Sequence, residues 1–191
     1  CAAAIQQQRE SGALFVHPFD DLLVMAGQGT IGLEIMEELP EVERVVVPIG
    51  GGGLIAGIVT AIKAIKPSVQ VVGVQAAAAP STQLSLQHGA IVQGPVSPGL
   101  ADGIAVKRPG ERTFPVIRDL VDEVVLVEEE EIALAILEGI HAMLRERGLT
   151  LSDLRGVGLA FPSYIDYEAG RILCTTNITG LREFDARDYF Q

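Results

Sequence analysis

The chain has 191 residues, 48% hydrophobic and 20% charged, a composition that forms a packed core rather than a disordered tail. Its net charge of −11 leaves no basic footprint for nucleic acid or for an anionic membrane surface, and no apolar run approaches the roughly 20 residues of a membrane span. Two cysteines, Cys1 and Cys174, have no framework spacing, and the start carries no basic segment followed by an apolar one. The expected setting is therefore cytoplasmic and reducing. The chain begins with Cys rather than Met, so a piece of a longer protein or a processed one is expected.

"AAAIQQQRES" reads as the end of a helix closed by Gly12, and "ALFVHPF" as a short strand. In "DDLLVMAGQGTIGLEIMEELP" a turn at the glycines is expected, followed by a helix capped by Thr30 and ended by Pro40. "ERVVVPIG" is a wholly apolar strand, "LIAGIVTAIKAIKP" a helix that stops before Pro67, and "VQVVGVQ" a second buried strand. "PSTQLSLQHG" gives a short helix capped by Ser81 and closed by Gly89. A long Gly- and Pro-rich stretch from Ala90 to Thr113 lacks periodicity, and loops of such length are commonly functional. "FPVIRDLV" is a helix and "DEVVLVE" a strand. "EEEIALAILEGIHAMLRERG" is a helix with acids first and bases last, in accord with its dipole. Beyond it, "LRGVGLAFP" and the end of "IDYEAGRILCTT" read as strands and "LREFDARDYF" as a short helix. This alternation predicts an α/β fold: a three-layer, Rossmann-like, mostly parallel sheet with helices on both faces.

Four consecutive glycines, Gly50 to Gly53, separate the first apolar strand from its helix. In an open α/β sheet that junction lies at the carboxyl end of a strand, where ligands bind. Glycines let backbone N–H groups turn inward, and the helix N-terminus adds partial positive charge, so a small anion or phosphate can be held without a basic side chain. The stretch is neither a P-loop nor a convincing dinucleotide fingerprint. A tight turn with close helix–strand packing is the other reading.

The run from "FVHPFDD" through "AGQGT" and "VVVPIGGGGLIAG" to "VVGVQ", continued by "ADGIAVKRPGERTF" and "VDEVVLVEEEE", closely resembles the threonine dehydratase and serine racemase group of pyridoxal-phosphate enzymes. The resemblance covers residues from about 2 to 137. It implies that the main-chain amides of Gly50, Gly51, Gly52, Gly53 and Leu54 bind the phosphate of pyridoxal phosphate. It also implies that Gln28, Gly29, Thr30, Asp102 and Gly103 line the same cleft. The family's lysine motif, S-F-K-x-R-G, is absent, as are its S-x-N and S-G-G-N segments. The lysines present are Lys63, Lys66 and Lys107. The first two read as helix surface, and Lys107 lies in the cleft loop. Where the family carries acids for a regulatory cation, this chain has Gln75 and Ser81, so no metal is expected.

After Leu137 a second resemblance begins. Gly156 to Pro162, Asp166, Gly170 to Leu173, Asn177 and Glu183 to Arg187 are similar to a stretch of the ROK family of sugar kinases and repressors. It implies sugar contacts by Thr176 and Asn177, although Asn177 also reads as a turn residue, and the family's nucleotide, catalytic and zinc motifs are missing. Together the two resemblances predict a chimera. Residues 1–137 would be a partial cofactor-binding domain and residues 138–191 a ROK-like segment packed into it. Three functions stay open at this point: a pyridoxal-phosphate binder inactive alone, a recombined domain without ligand, and an ammonia-lyase completed by a missing segment. Self-association into a homo-oligomer is a further expectation.

Overall fold

In a computed structural model the described residues are 2–97, 99–150, 163–166, 171–175 and 182–185. Six helices and six strands are placed among them. In chain order the first nine elements are α1 (Ala2–Ser11), α2 (Leu22–Glu38), β1 (Arg44–Pro48), α3 (Gly53–Ile65), β2 (Gln70–Ala76), α4 (Ser81–His88), α5 (Thr113–Leu120), β3 (Glu123–Val127) and α6 (Glu129–Glu146). The last three are β4 (Ser163–Asp166), β5 (Arg171–Thr175) and β6 (Arg182–Asp185). The fold is α/β, with a parallel sheet in the order β1-β2-β3 and helices packed on it.

Period-two alternation places Val45 and Val47 of β1 and Val71 of β2 on one face, where they are buried against Ile55, Ile58, Val59 and Ile62 of α3 and Ile117 of α5. Each such side chain contributes about 1.5–3 kcal/mol by leaving water. Gly73 belongs to the same face, and a Cβ there would sit 2.3 Å from Ile49 Cδ1. The missing side chain is the space that Ile49 and Ile55 fill. On the other face Val46 remains 60% exposed. The acidic start of α6 forms a capping box: the Glu128 carboxylate accepts from the backbone of the first turn, and Glu131 accepts from Glu128 N at 2.8 Å.

Four local expectations are overturned. Residues 13–19 form no strand. Pro18 offers no N–H, and His17 instead stacks edge-to-face between Phe15 and Phe19, with ring centroids 6.0 and 4.6 Å away. No turn interrupts Ala26 to Thr30. Helix α2 starts at Leu22, capped by the Asp21 carboxylate at 2.8 Å from Leu23 N, and runs straight through Gly27 and Gly29. Gly29 and Gly32 pack closely on α3: a Cβ at Gly29 would lie 3.2 Å from Gly57 O, and one at Gly32 would lie 2.8 Å from Ile58 O. Thr30 is thus no cap, and its hydroxyl donates to Gly27 O. Ser81 is no cap either, since its hydroxyl donates to Val106 O at 2.7 Å. Finally, the helix expected from Leu181 is a strand over Arg182–Asp185, paired antiparallel with β5.

Strands β4, β5 and β6 form a separate antiparallel sheet. Parallel neighbours require a crossover of a dozen residues or so. Only residues 167–170 join β4 to β5, and only 176–181 join β5 to β6. Thr176 and Asn177, the implied sugar contacts, lie outside the described residues, as does the strand expected over Leu154 to Pro162.

Candidate functional site

Ile49 ends the buried strand run, its N–H donating to Val74 O at 2.7 Å, and the chain then turns through the glycines into α3. Gly52 is the N-cap, with φ +97°, a left-handed conformation that a side chain would strain. It has no side chain to cap the helix. The N–H groups of Gly51, Gly52, Gly53 and Leu54 have no acceptor among the described residues. They are the orphan donors of a helix start, gathered at the carboxyl end of a parallel strand.

These glycines form one wall of a cleft of about 330 Å³, closed by Pro18, Phe19, Gln28, Leu54, Gly103 and Ile104. The walls are close. A Cβ at Gly50 would come 3.2 Å from Ile104 Cα, one at Gly51 would fall 2.4 Å from the Phe19 ring, and one at Gly53 would lie 2.9 Å from Phe19 O. Side chains at these positions would fill the cleft edge or push it apart.

The structure brings together Gly50, Gly51, Gly52, Gly53, Leu54, Gln28 and Gly103 around this cleft. It does not bring Gly29, which packs on α3, or Thr30, which is exposed. Asp102 begins a short 3-10 turn beside the cleft without lining it, and its Oδ2 is buried with no partner among the described residues. None of the three lysines lines the cleft. Lys63 Nζ pairs with Asp122 at 2.8 Å and donates to Val69 O, and Lys66 Nζ donates to Pro40 O at 2.9 Å. Lys107 is exposed in the loop behind Val106. At the position of the family's regulatory acid, the Gln75 carboxamide oxygen accepts from Thr82 N and Gln83 N, both at 3.1 Å, which fixes the start of α4.

Sequence reasoning missed the residues that support the loop from behind. His17 Nδ1 accepts from Asp20 N at 2.8 Å, which holds the turn in shape. Asp20 in turn accepts from Glu111 N at 3.0 Å and Arg112 N at 2.7 Å, at the approach to α5. Thr113 Oγ1 donates to Gly51 O at 2.7 Å. Some ninety residues separate Asp20 from its partners, and no local pattern announces them.

A cradle of unpartnered N–H groups on glycine, with no cation in its wall, suits the phosphate of a cofactor better than a free metal ion. Comparison with known proteins agrees. Residues 1–150 match the family model of pyridoxal-phosphate dependent enzymes, which reaches past Leu137. The chain is 65% identical over 159 residues to an L-threonine ammonia-lyase of Geobacter sulfurreducens, covering 83% of this chain and 39% of that protein. It is 58% identical over 135 residues to the L-threonine ammonia-lyase of Thermotoga maritima, covering 71% and 34%. The chain thus spans about two fifths or less of these relatives' length. Among solved structures, maize serine racemase superposes with a TM-score of 0.68 at 38% identity, over 71% of this chain and 41% of that one. A threonine deaminase from T.th. does so with 0.67 at 40% identity, over 77% and 50%. From its glycine loop to its relatives, the chain belongs to the pyridoxal-phosphate dependent enzyme family.

Proposed function

We propose that this chain carries the phosphate-binding part of a threonine ammonia-lyase-type enzyme and holds pyridoxal phosphate through its phosphate alone. The observation that carries the reading is the row of unpartnered N–H groups from Gly51 to Leu54 on the cleft wall. Gly50 sits close against Ile104, Phe19 covers the loop, and Gln28 offers a neutral polar group on the cleft wall. When bound, the cofactor supplies an aldehyde and an electron sink for amino acid chemistry. The residues here grip and orient it. Among the described residues no amine lines the cleft where it could attach to the aldehyde, so ammonia release from serine or threonine by this chain alone is not expected. The finer reading of the tail, as a segment from a different family, is confined to residues beyond the family match that ends at residue 150, and draws its support from the ROK-like motifs there.

The test is a calorimetric titration with pyridoxal phosphate and, separately, inorganic phosphate, followed by borohydride reduction. Both ligands should bind and compete, and reduction should leave no stoichiometric label on lysine. Absence of binding by either ligand would reduce the glycine loop to a turn. Measurable keto acid from serine or threonine would overturn the inactive reading.

A further inference from the structure

The Gly51 carbonyl is held by two donors on the side of the loop facing α5. Thr113 Oγ1 donates to it at 2.7 Å and Gly110 N at 3.2 Å. Thr113 is fully buried, and its oxygen accepts from Gly110 N at 3.1 Å. The hydroxyl has one proton, and the alternative acceptor, Gly110 O, is 3.5 Å away, so the proton goes to Gly51 O. Among the described residues no peptide bond is cis. In a planar trans peptide the N–H points opposite to the C=O. With Gly51 O drawn toward α5, the N–H of Gly52 is turned away from α5, and Gly52 is itself one of the residues lining the cleft. That N–H has no acceptor among the described residues.

Flipping this peptide would reverse the two groups. It is the flip that a Gly-Gly pair resists least, because neither residue has a Cβ to forbid the alternative. The loop therefore needs an external hold. Gly52 is also pressed against the same residues: a Cβ there would meet Ile117 Cδ1 at 2.7 Å and Thr113 Oγ1 at 2.8 Å. Asp20 secures the segment by accepting from Glu111 N and Arg112 N.

We propose that Thr113 is a positioning residue of the anion cradle: its hydroxyl fixes the Gly51–Gly52 peptide so that the Gly52 N–H is presented to the bound phosphate. The proposal rests on the reading of the glycine loop as a phosphate site. It adds a buried hydroxyl, far downstream of the loop in sequence, that touches no ligand and sets the direction of a donor that does.

The test compares Thr113→Val, which keeps the shape and removes the hydroxyl, with Thr113→Ser, which keeps the hydroxyl. Two readouts are used: calorimetric affinity for inorganic phosphate, and the Gly52 amide in ¹⁵N NMR spectra and hydrogen exchange of the ligand-free protein. Thr113→Val should weaken phosphate binding by about tenfold, the scale of one hydrogen bond to a charged group. It should also shift or broaden the Gly52 amide signal. Thr113→Ser should restore both. Wild-type affinity and an unmoved Gly52 amide in Thr113→Val would overturn the proposal, as would a serine variant as impaired as the valine one. If the wild type binds no phosphate, the cradle reading fails, and the ligand-free Gly52 signal still decides whether Thr113 sets the peptide. If Thr113→Val does not fold, the wild type decides: a slowly exchanging Thr113 hydroxyl proton is expected, and fast exchange would overturn the hydrogen bond.

Discussion

Replacing Gly57 by Ala should destabilise the protein, and replacing Gly27 by Ala should stabilise it, although both glycines lie in helices that cross each other. A Cβ at Gly57 would stand 2.2 Å from Met25 O and 2.7 Å from Gly29 N. Comfortable contact begins near 3.5 Å, so α2 would retreat by more than about 1 Å, a gap that forfeits a quarter to a half of each lost dispersion contact. The obstacle is backbone, which cannot rotate aside. Overpacking of this kind costs about 1–3 kcal/mol, and the upper end applies here. Alanine returns about 1 kcal/mol of helix propensity, leaving a net loss of about 2 kcal/mol. At Gly27 nothing lies within 4 Å of the added carbon, so the propensity gain of about 0.5–1 kcal/mol stands alone. Urea unfolding followed by far-UV circular dichroism would separate the two midpoints by about 1 M or more, with slopes of about 1–3 kcal/mol per molar. A Gly57→Ala midpoint at or above wild type would refute the helix crossing. A Gly27→Ala midpoint below wild type would refute the continuous helix and restore the turn.

Burial pushes the Asp122 carboxyl up, but Lys63 at 2.8 Å and the Val71 N–H at 2.7 Å outweigh it and hold it below the usual carboxylate value. A depressed carboxyl contributes stability that is full above its unfolded pKa and is lost as pH falls through the folded one, here below about pH 4. Asp122→Asn should flatten that acid limb in thermal melts and cost about 1 kcal/mol at neutral pH, a modest figure because the carboxylate is 39% exposed and screened; an unchanged acid limb would remove the pair from the account. Limited proteolysis tests the composite reading of the tail: if residues 138–191 pack into the same domain, cleavage between α6 and β4 should be no faster than global unfolding, and a stable core ending before Arg145 would argue against one integrated domain.

The parallel core was legible because its signals are local. The apolar runs of β1, β2 and β3, the four-glycine junction and the acidic start of α6 each sit within a few residues of the structure they specify. What escaped was set at a distance. Gly27 and Gly29 look like turn residues in isolation, and the helix through them is set by the Asp21 cap at its start and by the close approach of Gly57 to Gly29. The "ALFVHPF" stretch has strand-like content, yet its aromatic rings stack on His17 instead of joining a ladder. Thr113 and Asp20 act on partners far along the chain, where no spacing rule reaches. The antiparallel pairing of β4 and β5 was readable in principle, since four connecting residues are too few for a parallel crossover.

The three-stranded parallel sheet also bears on how two copies of the chain could meet. Among the described residues both β1 and β3 are outer strands, each with one unpaired row of backbone groups. Such rims invite strand addition from another molecule. Here one rim runs from Glu43 and Arg44 to Pro48, which has no N–H to offer, and the other lies between Asp122 and Glu128. The net charge of −11 adds an overall repulsion that opposes two copies approaching rim to rim. Salt that screens this repulsion would lower the barrier to such pairing.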